Sequence, residues 1–114
     1  MVDTLTISSI ELWTHLGVPE SERATEQRVL VTIIMNVDAS KTGKTDDVHD
    51  TINYQAVVSD IRSLAIVARK TIERLAEDIA EMILRNYKPA IVTVCVTKYV
   101  LPGTKDICLS ITRP

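Results

Sequence analysis

Over 114 residues the apolar pattern changes period twice, and this double switch narrows the possible folds more than any other feature. Arg28 to Val37 (RVLVTIIMNV) is dense in β-branched residues and predicts a long strand. After it, Val57, Val58, Ile61, Leu64 and Ala65 recur at helical spacing. From about Thr71, Ile72, Leu75, Ala76, Ile79, Met82 and Ile83 do so again, with Glu73, Arg74, Glu77, Asp78 and Glu81 on the polar face. Pro89 ends the helical region. Ala90 to Lys98 (AIVTVCVTK) then alternates as a strand, Pro102-Gly103 marks a turn, and Ile107 to Thr112 gives a last strand. Thr4 to Trp13, with Leu5, Ile7, Ile10 and Leu12, suits a first strand ahead of the polar segment Gly17 to Arg23. Ser40 to Asp50 is charged and reads as a loop with at most a short turn. The order ββααββ predicts an α+β fold: an antiparallel four-stranded sheet with two helices on one face. Asn53 is the expected N-cap of the first helix, with Ile52 and Val57 as a hydrophobic staple.

The chain fits one domain, 1–114, and a domain this small buries only about two-thirds of its unfolded surface. There is no Phe, so Val, Ile and Leu must build the core. The sheet face away from the helices also reads as rich in Val and Ile, and association with further copies would cover it. A formal charge of −2, with acids and bases interleaved, gives no basic patch for nucleic acid. No apolar stretch has membrane-spanning length, and Met1-Val2-Asp3-Thr4 lacks a signal-peptide layout, so the expected location is the cytoplasm. Cys95 and Cys108, far apart within apolar runs, read as reduced buried thiols. With His15 and His49 they show no metal-ligand spacing, and no metal site is predicted.

No nucleophile triad, phosphate loop or metal box is present; only isolated polar residues remain. Glu73 stands at a helix start, where the dipole favours a carboxylate. Lys98 ends an apolar strand, Tyr54 lies in the first turn of the other helix, and Glu22 is in a loop. Taken singly, each reads as structural.

Their order along the chain adds more. THLGVPESERATEQ around Glu22 to Gln27, KTDDVHDTINY ending at Tyr54, TIERLAEDIAE around Glu73 and VTVCVTK ending at Lys98 together resemble the dihydroneopterin aldolase family over nearly the whole length. Each stretch alone is weak; the four in order are specific. The resemblance implies the tunnelling fold, in which subunits join their sheets into a barrel and two tetrameric rings stack into a homo-octamer. It implies a pterin substrate, with the ring held by Glu73 in a bidentate manner and by backbone contacts at Ile72. Ile52 and Tyr54 would come from the neighbouring subunit, Tyr54 packing on the ring with its hydroxyl in proton transfer. Lys98 and Glu22 would move protons near the substrate side chain. The implied reaction is a retro-aldol cleavage without metal or cofactor. One departure is that Tyr99-Val100-Leu101-Pro102 follows Lys98, where family aldolases usually have proline next. A relative that epimerises dihydroneopterin triphosphate also lacks that proline. Arg69 and Lys70 read as surface charge, but beside a pterin pocket two cations could hold a triphosphate. Epimerisation, and a non-catalytic oligomeric pterin-binding protein, are the alternatives.

Overall fold

A computed structural model describes residues 3–99 and 101–114. Met1 and Val2 of the N-terminal stretch, and Val100 in the segment after Lys98, lie outside the described residues. Four strands, β1 (Thr4–Thr14), β2 (Gln27–Asn36), β3 (Val92–Lys98) and β4 (Ile107–Arg113), form an antiparallel sheet in the order β1-β2-β3-β4, so β1 and β4 are its edges. The chain also carries four helices among the described residues: α1 (Glu20–Arg23), α2 (Ala39–Thr45), α3 (Tyr54–Leu64) and α4 (Ile72–Tyr87). The order ββααββ therefore holds for the long elements only.

The stretch 40–50, expected to be a loop, contains α2 and a 3-10 turn over Val48–Asp50. Neither has a buried face; local polar bonds hold them instead. Asp38 accepts from Ser40 N at 3.1 Å, Thr42 Oγ1 donates to Asp50 O at 3.0 Å, and Asp46 ends α2 in the left-handed region.

Both long helices start at side-chain caps. Asn53 accepts from Gln55 N (3.1 Å) and Ala56 N (3.3 Å), and Thr71 from Arg74 N (3.1 Å). α4 packs across β3 and β4, and α3 lies against α4 and β1. Between them, Val57 and Ile61 of α3, Leu75, Ala76, Ile79 and Ile83 of α4, and the inward residues of β2 and β3 are wholly buried. Each large aliphatic so enclosed contributes about 1.5–3 kcal/mol over leaving it exposed.

β1 keeps phase with this core by a bulge. The register shifts between Ile7 and Ile10, with Ser9 at φ 53 and its N–H bonded to Thr32 Oγ1 at 3.0 Å. The bulge takes up the one extra residue, so Leu5 and Ile7 face inward with Ile10 and Leu12.

The outer face of the sheet differs from the expectation. Leu30 and Ile34 are aliphatic, but Thr32, Thr93, Cys95, Thr97, Cys108, Ser110 and Thr112 alternate outward with them. Thr93 and Thr112 hydroxyls bond across the strands at 3.0 Å. The face is lined mainly by hydroxyls and thiols and does not demand apolar cover. For the same reason Cys108 is exposed and Cys95 only half-buried, which corrects the reading of both as buried thiols; both are free.

Candidate active site

Lys98 is the last residue of β3, in phase with the buried Val92, Val94 and Val96, so its side chain faces the helix layer. That side chain is 13% exposed, and an ammonium so enclosed needs a counter-charge. Glu22 of α1 supplies it, with Oε1 3.6 Å from Lys98 Nζ. α1 is only four residues long and is tied down by its neighbours. Arg23 Nη1 donates to Gly17 O (2.9 Å) and Val18 O (3.0 Å), while His15 Nδ1 lies 2.9 Å from Arg23 O. A carbonyl can only accept, so His15 carries its proton on Nδ1 and acts as a brace. Gly17 leaves the space that the Glu22 carboxylate fills: a Cβ there would overlap it.

The loop before α4 is bound to the same segment. Gly17 N donates to Arg69 O at 3.1 Å and Arg69 N to His15 O at 3.0 Å. The Arg69 side chain is 9% exposed, with Nε on Asp78 Oδ2 at 2.8 Å and Nη1 on Leu64 O (3.1 Å) and Val67 O (2.8 Å). This corrects its reading as surface charge, and it also occupies the guanidinium that a triphosphate would need. Lys70 is exposed. Glu73 follows in the first turn of α4, exposed, with Ile72 before it half-buried against the core. Glu22, Lys98, Ile72 and Glu73 thus belong to one end of the molecule.

Tyr54 and Ile52 do not. Tyr54 opens α3 and is 57% exposed. Ile52 lines a cleft with Tyr87, Lys88 and Pro89 at the far end of α4. There Tyr87 OH donates to Asp60 Oδ2 at 2.5 Å; burial, then this bond, push the phenol up to about 12. Tyr87 is fourteen positions beyond Glu73 in α4, about 21 Å at 1.5 Å per residue. Ile52, beside Tyr87, therefore lies at the opposite end of α4 from Glu73.

Among the described residues no three His, Cys, Asp or Glu side chains cluster as metal ligands, and His49 is exposed on Asp47. Gly17 and Arg69, which shape the Glu22–Lys98 corner, and Gln27, whose Nε2 donates to Leu16 O next to Gly17, have no signature in spacing. Gly17 and Gln27 lie inside the family-like stretch, and only that context singles them out.

A lysine enclosed with a carboxylate at one end of an α+β sheet sets a proton donor beside an acceptor, the class of pair that general acid–base chemistry uses. The comparisons give the family. The model described as FolB: Dihydroneopterin aldolase matches residues 5–112, and the chain belongs to the dihydroneopterin aldolase family. It is 36% identical to the dihydroneopterin aldolase of Staphylococcus epidermidis, covering 93% of this chain and 91% of that one. It is 33% identical to that of Bacillus subtilis, covering 98% of each. The solved structure of the E. coli dihydroneopterin aldolase in complex with neopterin superposes with a TM-score of 0.94 at 28% identity, covering 99% of this chain and 100% of that one.

Proposed function

We propose that the chain cleaves 7,8-dihydroneopterin by a retro-aldol reaction to 6-hydroxymethyl-7,8-dihydropterin and glycolaldehyde, a step toward folate. The observation that carries this is the enclosed Lys98–Glu22 pair, a proton donor and acceptor side by side. Breaking C1′–C2′ takes the proton from the 2′-hydroxyl and leaves the electron pair on C1′. The C6=N5 imine of the substrate accepts that pair, with a proton added at N5. Protonation at C1′ and loss of the N5 proton then give the hydroxymethyl product. The substrate supplies its own electron sink, so the proposal needs neither an enzyme imine nor a metal or cofactor.

Lys98 and Glu22 handle the side-chain protons, partly through water. Glu73 reads the ring, its two oxygens accepting from the ring amide N–H and the exocyclic amine, with Ile72 contributing backbone contacts. Tyr54 and Ile52 reach this pocket from a neighbouring subunit, Tyr54 against the ring with its hydroxyl in the proton path. The placement of Ile52 beside Tyr87, about 21 Å along α4 from Glu73, is the support for a shared site. The assembly proposed is the tunnelling-fold barrel: subunits join at the free edges β1 and β4, and two tetrameric rings stack into an octamer. A hydroxyl-lined outer sheet face suits the wall of a wet barrel. Each subunit is one such domain over 1–114. No helix of the described residues is long and apolar enough to cross a membrane, and the proposed location is the cytoplasm.

Incubation with dihydroneopterin and with its triphosphate, followed by product analysis, tests the reading. Glycolaldehyde from the unphosphorylated substrate is expected. Epimerised triphosphate without glycolaldehyde, or pterin binding without turnover, would each replace it.

A further inference from the structure

Among the described residues, one buried side-chain oxygen or nitrogen lacks a hydrogen-bond partner: Gln27 Oε1. Such atoms are rare in folded proteins and call for an explanation. The orientation of this amide is fixed, because Gln27 Nε2 donates to Leu16 O, and turning it over would set two acceptors against each other. The oxygen is closed to solvent, so its partner must come from the walls around it.

Those walls hold few donors with capacity to spare. Gln27 opens β2 opposite Thr14, whose one hydroxyl proton goes to Ala65 O at 2.6 Å. Arg23 Nη1 is already shared between two carbonyls. Lys98 differs. It lies opposite Val29 on β3, so Gln27, two residues before Val29 and in phase with it, is its diagonal neighbour on the same sheet face. Long side chains reach each other across that diagonal. An ammonium has three protons to donate, and Glu22 at 3.6 Å stands beyond hydrogen-bond length. The Leu16–Gly17 peptide ties the group together: Gln27 bonds one side of it, and Glu22 fills the space beside Gly17.

We infer that Gln27 is a positioning residue for Lys98, its Oε1 receiving the Lys98 ammonium as a second, uncharged seat beside Glu22. The inference rests on reading Lys98 as the proton-transfer residue. With two acceptors of different charge, the lysine stays oriented when Glu22 gives up or takes a proton, and its ammonium does not drift toward solvent.

The test compares Gln27→Met, which removes both polar atoms, with Gln27→Glu, which keeps an acceptor and loses the donor to Leu16 O. Both lose the Leu16 bond, so both should melt at lower temperature. A positioning role requires the glutamate variant to be the more active. Gln27→Met should lose roughly tenfold or more in kcat with product affinity within about twofold of the parent, and Gln27→Glu should recover most of that loss. The Lys98 13Cε order parameter, assigned by its disappearance in Lys98→Arg, should fall in Gln27→Met and hold in Gln27→Glu. A merely structural role reverses the activity ranking, because a carboxylate facing Leu16 O is worse than a thioether, and leaves Lys98 equally ordered in both. Either result overturns the inference. The order parameter is read without substrate, so it judges Gln27 even if the parent protein fails to cleave dihydroneopterin.

Discussion

The separation of Tyr54 from Glu73 makes a quantitative demand on mixtures of variants. Tyr54→Phe removes a phenolic proton, and Glu73→Gln replaces an acceptor with a donor against the pterin edge. Each homo-oligomer should be nearly inactive, by at least ~10²-fold for the proton-transfer residue. Yet a Tyr54→Phe chain still supplies Glu73, and a Glu73→Gln chain still supplies Tyr54. Glu73 lies in the first turn of α4, whereas Ile52, two residues before Tyr54, lies beside Tyr87 at the other end of that helix, so the proposed pocket draws the two from different chains. When equal amounts are unfolded together and refolded, the chance that a pocket takes its Glu73 half from the first variant is one half. The chance that it takes its Tyr54 half from the second is also one half, so about a quarter of pockets should be whole. Glycolaldehyde release should then return to roughly a quarter of the parent rate, against almost nothing for either variant refolded alone. Native mass spectrometry establishes that mixing occurred. Mixed oligomers with no recovered activity would place both residues in one chain's pocket and refute the reasoning.

Other expectations divide labour inside the site. Lys98→Ala should lower kcat by roughly 10²-fold with product affinity little changed, whereas Glu73→Gln should cost on the order of 2–4 kcal/mol of pterin binding by calorimetry. Equal losses in both measurements for both variants would erase that division. Gly17→Ala sets a methyl group where the Glu22 carboxylate rests and puts a side chain at φ 158, so turnover per folded molecule should fall about tenfold and the melting temperature should also drop. A large loss of stability with unchanged kcat per folded molecule would contradict it. For Tyr87 the folded-state pKa is raised from 10.0 to about 12 by burial and by Asp60, so the folded state holds that proton more tightly. Its contribution is complete below the ordinary tyrosine range and is lost as pH rises through about 12. The stability gap between parent and Tyr87→Phe should therefore narrow between about pH 9 and pH 11.5 in denaturant melts; a constant gap refutes the assignment.

The strands and long helices were legible because each carries its own periodicity: the inward phase of β2 and β3 and the stripe of α4 are written as Val, Ile, Leu and Met at fixed intervals. α2 was not, because Ala39 to Thr45 has no apolar stripe and includes Gly43; its stability comes from Asp38, Thr42 and Asp50, which no window of hydrophobicity registers. The outer sheet face was misread by counting Val and Ile along each run rather than following their phase, which turns Thr93, Cys95, Thr97 and Cys108 outward. The site was legible only through family resemblance. Glu22 and Lys98 are 76 positions apart, and nothing in either neighbourhood announces the other. Arg69 looked like one more surface cation because its burial is set by three partners, Leu64, Val67 and Asp78, on two elements and the loop between them.

The bulge in β1 has a consequence for how this sequence can drift. Ser8 and Ser9 touch the fold through their number more than through their chemistry: Ile7 and Ile10 are an odd interval apart, and the bulge that takes up the extra residue lets both point inward. Replacing either serine leaves that count intact, and at Ser9 the positive φ favours Gly, Asn or Asp as substitutes. Deleting one leaves Ile7 and Ile10 two positions apart, as their partners Ile33 and Val31 are, so the strand becomes regular and Leu5 and Ile7 still face inward. At this place both the letters and one unit of length are free to change, and what descendants must keep is the inward phase of Leu5, Ile7, Ile10 and Leu12.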